Sequence, residues 1–562
     1  MDQELLARAR AWVAGDPDRD SAAQLQAMVD AGAEEALRDH VAGDLAFGTA
    51  GLRGAVGPGP DRMNRAVVIR ATRGLADHLL ATVDGARERG VAVGFDARPD
   101  SERFAHDVMS VLLAAGFTVH AHLTPTATPL VAFAARRLST AAAVVVTASH
   151  NPPADNGYKV YDQHGVQITP PDDRLIAEAI AAVGPAVDVP GVGDGIEGVH
   201  ELGEEAMAAY VAAITADEVV AAPRGDHPSV PLVVTPMHGV GGGPVERILQ
   251  ARGHHVVRVD GQWEPDGRFP TVDFPNPEEP GALDLAEATA TDVGAAVILA
   301  NDPDADRLAV AVPTAQGWRR LSGDEVGCVF AHHLLSRTGG DLERPLVASS
   351  IVSSARLGRI AAAFDARHEV TLTGFKWLWR AGRELADQGW HWVMGYEEAL
   401  GYSLGDAVRD KDGINAAATM ADLVVELAAE GRVLVDLLAD LDERYGRWAN
   451  VQASVRRTGA TGADEILAAV DAATRVDGDA LGMRTIERVV DHRAPTPDAP
   501  AWRPTTPLVV WHLSGGGRVL VRPSGTEPKL KVYVDLPLDD GEEAGLGDVL
   551  AGRTVELLGI GD

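Results

Sequence analysis

The stretch Ala142–Tyr161, AAVVVTASHNPPADNGYKVY, opens as an apolar run and breaks into a polar loop rich in Asn and Pro. A β-branched run of this length reads as a buried strand, which puts Ser149 and His150 just past its carboxyl end. The same grammar recurs in both directions. Val91–Phe95, Pro231–Thr235, Ala295–Ala300 and Pro345–Ser349 are short apolar strands, each leading into a polar loop and then an Ala/Leu-rich helical stretch. Strands alternating with helices predict α/β units around mostly parallel sheets, whose ligands sit beyond the carboxyl ends of the strands. The tail differs, since Pro507–Leu513 and Arg518–Val534 read as antiparallel strands behind the Pro-rich connector Arg493–Pro507.

A chain of 562 residues is too long for one core, because cores stop growing near roughly 250–300 residues. Breaks are expected in the Gly/Pro/Asp-rich segment Gly184–Gly203 with the helix after it, in the loop Thr314–Gly323, and near Arg444–Asn450. The predicted domains are therefore 1–215, 216–320, 321–445 and 446–562, the first three alike in shape. Lys+Arg is 50 against Asp+Glu 82, a formal charge of −32. That field disfavours nucleic acid and anionic membranes as partners, so any anion site has to be a local cluster of cations and backbone N–H groups. The single cysteine, Cys328, rules out an internal disulfide framework and a multi-thiolate zinc site. It reads as a buried structural thiol in a reducing compartment. No run of about 18 apolar residues occurs, and Met1–Ser21 is charged and amphipathic rather than signal-like, so a cytoplasmic protein is expected. The sequence leaves monomer and homodimer both open.

Several loops carry groups suited to chemistry. Ser149 can serve as nucleophile or phosphate carrier, and Lys159 as base or phosphate partner if the loop folds back. By itself Ser-His-Asn also suits an Asx-type turn, so other loops have to decide. Asp302–Arg307, DPDADR, again follows an apolar strand. Asp302, Asp304 and Asp306 at alternate positions can converge on one hard cation, and oxygen-only ligation suits Mg²⁺. An EF-hand would want Gly where Arg307 stands and Glu where Pro313 stands. Arg522–Lys529, RPSGTEPK, joins two strands; Arg522 can grip phosphate through parallel N–H bonds, with Ser524, Gly525 and Thr526 adding donors. In Gly395–Gly405, GYEEALGYSLG, the carboxylates Glu397 and Glu398 can accept from sugar hydroxyls, with Ser403 helping, or the acids can simply open a helix. Gly374–Trp377, GFKW, sets Lys376 beside aromatics, which either lower its pKa or let it snorkel. Phe47–Gly54, FGTAGLRG, offers Arg53, and Gly94–Ser101, GFDARPDS, offers Arg98. His238, in TPMHGVGGG, reads as structural.

Taken together, TASHNP, DPDADR and RPSGTEP, in this order along Phe47 to about Tyr533, resemble the α-D-phosphohexomutase family of phosphoglucomutases and phosphomannomutases. The resemblance implies an α/β, four-domain architecture: three similar domains with mixed, mostly parallel sheets plus a C-terminal α+β domain around a central cleft. It implies that Ser149 is a phosphoserine flanked by His150 and Lys159, and that Asp302, Asp304 and Asp306 bind Mg²⁺ together with the seryl phosphate. Arg307 would lie against phosphate, Arg53 would hold the serine loop, and Lys159 and Lys376 would move protons. Glu397, Glu398 and Ser403 would read sugar hydroxyls, and Arg522, Ser524, Gly525 and Thr526 would clamp the distal phosphate. The implied reaction interconverts hexose 1-phosphate and hexose 6-phosphate through a 1,6-bisphosphate. FGTAGLRG, GFKW and GYEEALGY look like the larger phosphoglucomutase-2-like branch, some of whose members act on pentose phosphates or make glucose 1,6-bisphosphate. Glucose phosphate is the expected sugar, with mannose and pentose phosphates as alternatives. A phosphatase and a non-catalytic sugar-phosphate sensor are the rival readings.

Overall fold

The computed structural model describes residues 2–48, 51–220, 228–338, 342–457, 461–495, 499–524, 529–539, 541–543 and 545–560. The chain divides into two compact units, Met1–Leu321 with Leu400–Gly431, and Ser322–Ala399 with Arg432–Asp562.

In the first unit, one sheet runs in the order Leu52–Ala55, Asp155–Tyr161, Ala142–Val146, Val91–Phe95, Val119–Ala121, His200–Glu201. Val91–Phe95 pairs in parallel with both neighbours, and every residue of Val91–Phe95 and Ala142–Val146 is buried. Such runs are apolar throughout because helices cover both faces of a parallel sheet. Val91, Val93, Phe95, Val144 and Val146 share one core with Phe104, Val108 and Leu112 of the helix Ser101–Ala114. Asp155–Tyr161 turns back antiparallel to Ala142–Val146, and Val145 faces Lys159 across the pair. A second sheet runs Gly317–Arg320, Leu308–Thr314, Val297–Asn301, Leu232–Thr235, Val256–Arg258, with its last three strands parallel. Before the first sheet, helices Gln3–Gly15, Arg19–Ala31 and Glu34–Val41 close on their own small core of Leu5, Ala9, Leu25, Val29, Leu37 and Val41. The amphipathic opening segment is thus the first helix of a helical appendage.

In the second unit, Pro345–Ser350 lies between the parallel strands Arg367–Thr371 and His391–Glu397. The C-terminal part is an antiparallel sheet in the order Arg447–Arg456, Lys529–Leu538, Arg518–Pro523, Val509–Leu513, Arg484–Asp491, Ala480–Leu481. Its alternating strands bury Val519, Val521, Val532, Val534 and Trp511 against helices Gly462–Ala472 and Leu546–Leu557. Cys328 is buried in the helix Gly323–Thr338, and burial pushes its thiol up to about 12. Among the described residues no helix is long and apolar enough to cross a membrane.

Asp324, one turn before Cys328, gives the second unit a pH signature. Burial drives its carboxyl from 3.8 up to about 7, against hydrogen bonds from Ser354 N–H (2.6 Å) and Tyr396 OH (2.9 Å) that favour the charged form. A folded-state pKa above the unfolded one contributes stability that is full below the unfolded value and lost as pH rises through the folded one. Asp324→Asn is therefore expected to remove on the order of 3 kcal/mol of pH dependence between about pH 4 and 7, read from urea midpoints followed by tryptophan fluorescence.

Candidate active site

The loop that carries Ser149 is held in place largely through its backbone N–H and carbonyl groups, gripped by side chains around it. Ser149 has φ +53, a left-handed conformation that costs an L-residue about 1–2 kcal/mol. Several bonds offset that cost. The Ser149 N–H donates to Thr147 Oγ1 at 2.8 Å, and Thr147 Oγ1 donates to Asp96 Oδ2 at 2.7 Å. Arg98 ties the loop from beneath, donating to the carbonyls of Ser149 (2.5 Å), Asn151 (2.6 Å), Pro152 (2.6 Å) and Asp155 (3.1 Å). Its guanidinium is itself pinned by Asp96 at 3.2 Å and lies over the Phe269 ring. Arg53 reaches the same loop through Asn151 Oδ1 at 3.2 Å. Arg53 sits two residues after Gly51, where φ is +77 and a Cβ would stand 1.8 Å from the Tyr158 carbonyl oxygen, so only glycine fits.

DPDADR sits at the carboxyl end of the strand Val297–Asn301 and meets this loop head on. Ser149 Oγ donates to Asp302 Oδ2 at 2.9 Å and lies 3.1 Å from His150 Nδ1. The paired strand carries Lys159 to Asp304 Oδ2 (2.6 Å) and Asp306 Oδ2 (2.9 Å), and Thr128 Oγ1 also donates to Asp304 Oδ2. Arg307 N–H donates to Asp302 Oδ1 at 3.0 Å, closing the loop on itself. All three aspartates are buried. One ligand oxygen from each can be chosen so that all lie within 4.8 Å of one another. Asp304 Oδ1 and Asp306 Oδ1 are buried without a hydrogen-bond partner among the described residues. Three buried carboxylates that can bring one oxygen each together, with no His or Cys joining them among the described residues, are what a hard divalent cation requires, so the donor set fits such an ion.

Electrostatics divide the cluster. Burial and the neighbouring Asp306 and Asp304 charges hold the Asp302 carboxyl well above the usual range. Burial also opposes charge on Asp306, but Lys159, Lys411 and Arg307 outweigh it and hold that carboxyl far below the usual range. Lys159 shows the mirror balance, with burial overcome by Asp304 and Asp306, so its ammonium stays charged. Burial together with the Arg307 and Arg53 cations keeps His150 well below its ordinary value and therefore neutral. Three aspartates are thus met by Lys159, Lys411, Arg307 and Arg53, a local cluster of cations inside a chain of charge −32.

Lys411 escaped the sequence reading. Its Nζ lies 3.1 Å from Asp306 Oδ2 and 3.2 Å from Asp410 Oδ1, while Tyr161 OH (2.7 Å) and Gln167 Nε2 (2.8 Å) donate to Asp410 Oδ2. The segment RDKDG reads in sequence as a solvated charged turn. Only its Gly413 hints otherwise, because a Cβ there would stand 2.2 Å from the Arg307 carbonyl oxygen. Arg98, offered by its motif alone, proves to be the loop's main anchor. His238, read as structural, has its Nε2 2.8 Å from Thr271 Oγ1.

The second unit gathers its own polar groups. Glu397 Oε1 accepts from the Gly374 N–H at 2.6 Å, and Arg522 donates to Thr373 Oγ1 at 2.9 Å, so GFKW, Glu397 and Arg522 meet around one turn. Lys376 is buried, its Nζ 5.9 Å from the centre of the Trp377 ring, and is not a snorkelling surface lysine. Glu398 Oε2 accepts from Ser350 Oγ (3.1 Å) and Ser353 Oγ (3.2 Å), and burial raises its carboxyl. These acids end the strand His391–Glu397 and do not open a helix. Ser524 N–H donates to the Lys529 carbonyl at 2.7 Å, and Gly525 and Thr526 lie outside the described residues. Ser403 is fully buried in the strand Gly401–Leu404 of the first unit, where its Oγ donates to the Val408 carbonyl at 3.4 Å.

Four family models match in sequence order. Domains I, II and III of the phosphoglucomutase/phosphomannomutase family, each described as alpha/beta/alpha, match residues 44–185, 208–317 and 322–445, and the family's C-terminal domain matches 464–552. A Haemophilus influenzae protein named as a probable phosphomannomutase is 38% identical over 86% of this chain and 94% of its own. Human phosphopentomutase is 32% identical over 93% of this chain and 90% of its own. The crystal structure of a phosphoglucomutase/phosphomannomutase family protein from Burkholderia thailandensis shares the fold, with TM-score 0.67 and 21% identity over 91% of this chain and 96% of that one.

Proposed function

The chain belongs to the phosphoglucomutase/phosphomannomutase family and is a phosphosugar mutase, and from that premise we propose that Ser149 Oγ carries the phosphoryl group between two hydroxyls of one sugar. The observation that carries this reading is the 2.9 Å contact of Ser149 Oγ with Asp302, within a buried carboxylate cluster ringed by Lys159, Lys411, Arg307 and Arg53. In the forward half-reaction the free hydroxyl of a sugar monophosphate attacks the phosphorus of phosphoserine, the bond to Ser149 Oγ breaks, and a sugar bisphosphate forms. In the return half-reaction Ser149 Oγ attacks the other phosphate of that bisphosphate, releasing the isomeric monophosphate and restoring the phosphoserine. A bisphosphate of the substrate sugar is thus both the intermediate and the species that can prime the enzyme.

Each residue has a definite part. Asp302, Asp304 and Asp306, with the seryl oxygen, would hold Mg²⁺, which when bound neutralises charge on the transferring phosphoryl group. Arg307 and Arg53 add fixed positive charge around the seryl phosphate. The unphosphorylated Ser149 directs its proton at Asp302 Oδ2, and neutral His150 Nδ1 is the base beside it. Lys159 and Lys411, both held on Asp306, are charged donors to phosphoryl oxygens and to a leaving hydroxyl. Lys376 would move the proton at the second sugar oxygen. Glu398, seated by Ser350 and Ser353 with Oε1 bonded to neither serine, reads sugar hydroxyls, while Glu397 fixes the GFKW turn. Arg522 and Ser524, with Gly525 and Thr526, would clamp the phosphate that is not reacting. The domains are assigned to 1–215, 216–320, 321–445 and 446–562, one functional loop in each.

The sugar is an aldose phosphate. Glucose phosphate holds no advantage over mannose or pentose phosphate, since the relatives' names include phosphomannomutase and phosphopentomutase. The test is a panel of glucose, mannose and ribose 1-phosphates with Mg²⁺ and a trace of the matching bisphosphate. A mutase converts at least one of them to its terminal phosphate with little inorganic phosphate. Stoichiometric release of inorganic phosphate would make the protein a phosphatase instead, and no turnover on any sugar would leave a sensor.

A further inference from the structure

In the second unit, the C-terminal hairpin carries a buried aspartate that no step of the phosphoryl transfer uses. Asp535 is 2% exposed, and four donors from three places in the chain converge on its carboxylate. Arg518 Nε (2.7 Å) and Ala355 N–H (2.9 Å) donate to Oδ2, and Ser354 Oγ (3.1 Å) and Asn450 Nδ2 (2.7 Å) to Oδ1. Arg518 faces Asp535 across the hairpin, and its Nη2 donates to the Ser353 carbonyl at 2.5 Å. The turn 353–355 is therefore gripped from one side by the root of this hairpin.

On its other side the same turn holds Glu398. Ser353 Oγ accepts the Glu398 N–H at 3.1 Å and donates to Glu398 Oε2 at 3.2 Å, and Ser350 Oγ reaches both Ser353 Oγ (2.8 Å) and Glu398 Oε2 (3.1 Å). Ser350, Ser353 and Ser354 are each about 1% exposed, so the turn has little freedom except through these partners. The hairpin whose root fixes the turn is the one that runs out to Arg522 and Ser524.

We propose that Asp535 and Arg518 are positioning residues for sugar recognition: by fixing the Ser353–Ala355 turn they set the place and orientation of Glu398, and so tie the sugar-reading carboxylate to the strand pair that carries the phosphate clamp. The inference rests on the reading of Glu398 as the sugar reader. A buried carboxylate with four donors is hard to replace, because each donor left behind becomes an unpaired buried group and the turn must move to find another acceptor. Contacts to sugar hydroxyls that do not change during phosphoryl transfer are made equally in ground and transition states, so their loss is read in KM and not in kcat.

The experiment measures KM and kcat for glucose 1-phosphate and ribose 1-phosphate in the full-length chain for Asp535→Asn, Arg518→Lys, Glu398→Gln and the double variant Asp535→Asn/Glu398→Gln. Asp535→Asn and Arg518→Lys are each expected to raise KM about tenfold with kcat within about twofold. The double variant should be no worse than Glu398→Gln alone, because both changes act through one carboxylate. The proposal is overturned if Glu398→Gln raises KM while Asp535→Asn and Arg518→Lys do not, or if the effects in the double variant multiply. If Glu398→Gln itself changes neither constant, the sugar-reading role of Glu398 is wrong, and the proposal goes with it. Should Asp535→Asn fail to fold, Arg518→Lys, which keeps the charge and the hairpin, decides by the same numbers, paired with Glu398→Gln in its own double variant.

Discussion

Ser149→Ala is expected to lower kcat by about 10³-fold or more on every sugar phosphate the wild type accepts. The substitution removes the hydroxyl that lies 2.9 Å from Asp302 Oδ2 and 3.1 Å from His150 Nδ1, and with it the proposed carrier of the phosphate. It leaves the loop intact, because the Ser149 N–H and C=O that bond Thr147 and Arg98 are backbone groups. Sugar-phosphate binding, followed by calorimetry with glucose 1-phosphate and ribose 1-phosphate, should therefore survive. Incubating wild type with ³²P-labelled glucose 1,6-bisphosphate should label one serine, and the variant should take up none. Turnover within tenfold of wild type in Ser149→Ala would remove the phosphoserine from the mechanism.

Asp306→Asn is expected to cost a comparable factor, about 10²–10³-fold in kcat/KM, for two reasons that act together. The change takes one anionic ligand oxygen from a cluster in which Asp304 Oδ1 and Asp306 Oδ1 are unpaired. It also takes from Lys159 and Lys411 the carboxylate they share at 2.9 and 3.1 Å, leaving Lys159 to Asp304 and Lys411 to Asp410. The first effect is read without turnover, as weakened Mn²⁺ binding by electron paramagnetic resonance. The second appears as activity that excess Mg²⁺ does not restore. Full rescue by Mg²⁺ would mean that the lysines do not depend on Asp306 for their placement.

The fold was legible where one residue pattern admits one structure. Val91–Phe95 and Ala142–Val146 are unbroken apolar runs rich in valine, which a strand covered on both faces buries, and both are central strands. The aspartates at 302, 304 and 306 advertise their chemistry because three carboxylates so close repel unless a cation or several donors bring them together. Positions that the sequence did not reveal are those whose role depends on a remote partner. Lys411 sits in a segment that looks solvated, yet 105 residues separate it from the Asp306 it serves. The helical appendage before residue 42 shows an amphipathic first segment in sequence, and nothing local says that three helices close on one core.

The sequence alone determined the class of architecture and the serine and aspartate loops, because strand burial and local carboxylate density are short-range properties that neighbouring residues settle between themselves. Only the tertiary structure decided which charge stands against which. Lys159 comes to the aspartates through an antiparallel return strand, Arg98 to four loop carbonyls across a sheet, and Asp535 to the turn under Glu398 through a hairpin. Buried charges and donors need partners wherever the fold can supply them, and chain distance places no limit on where those partners come from.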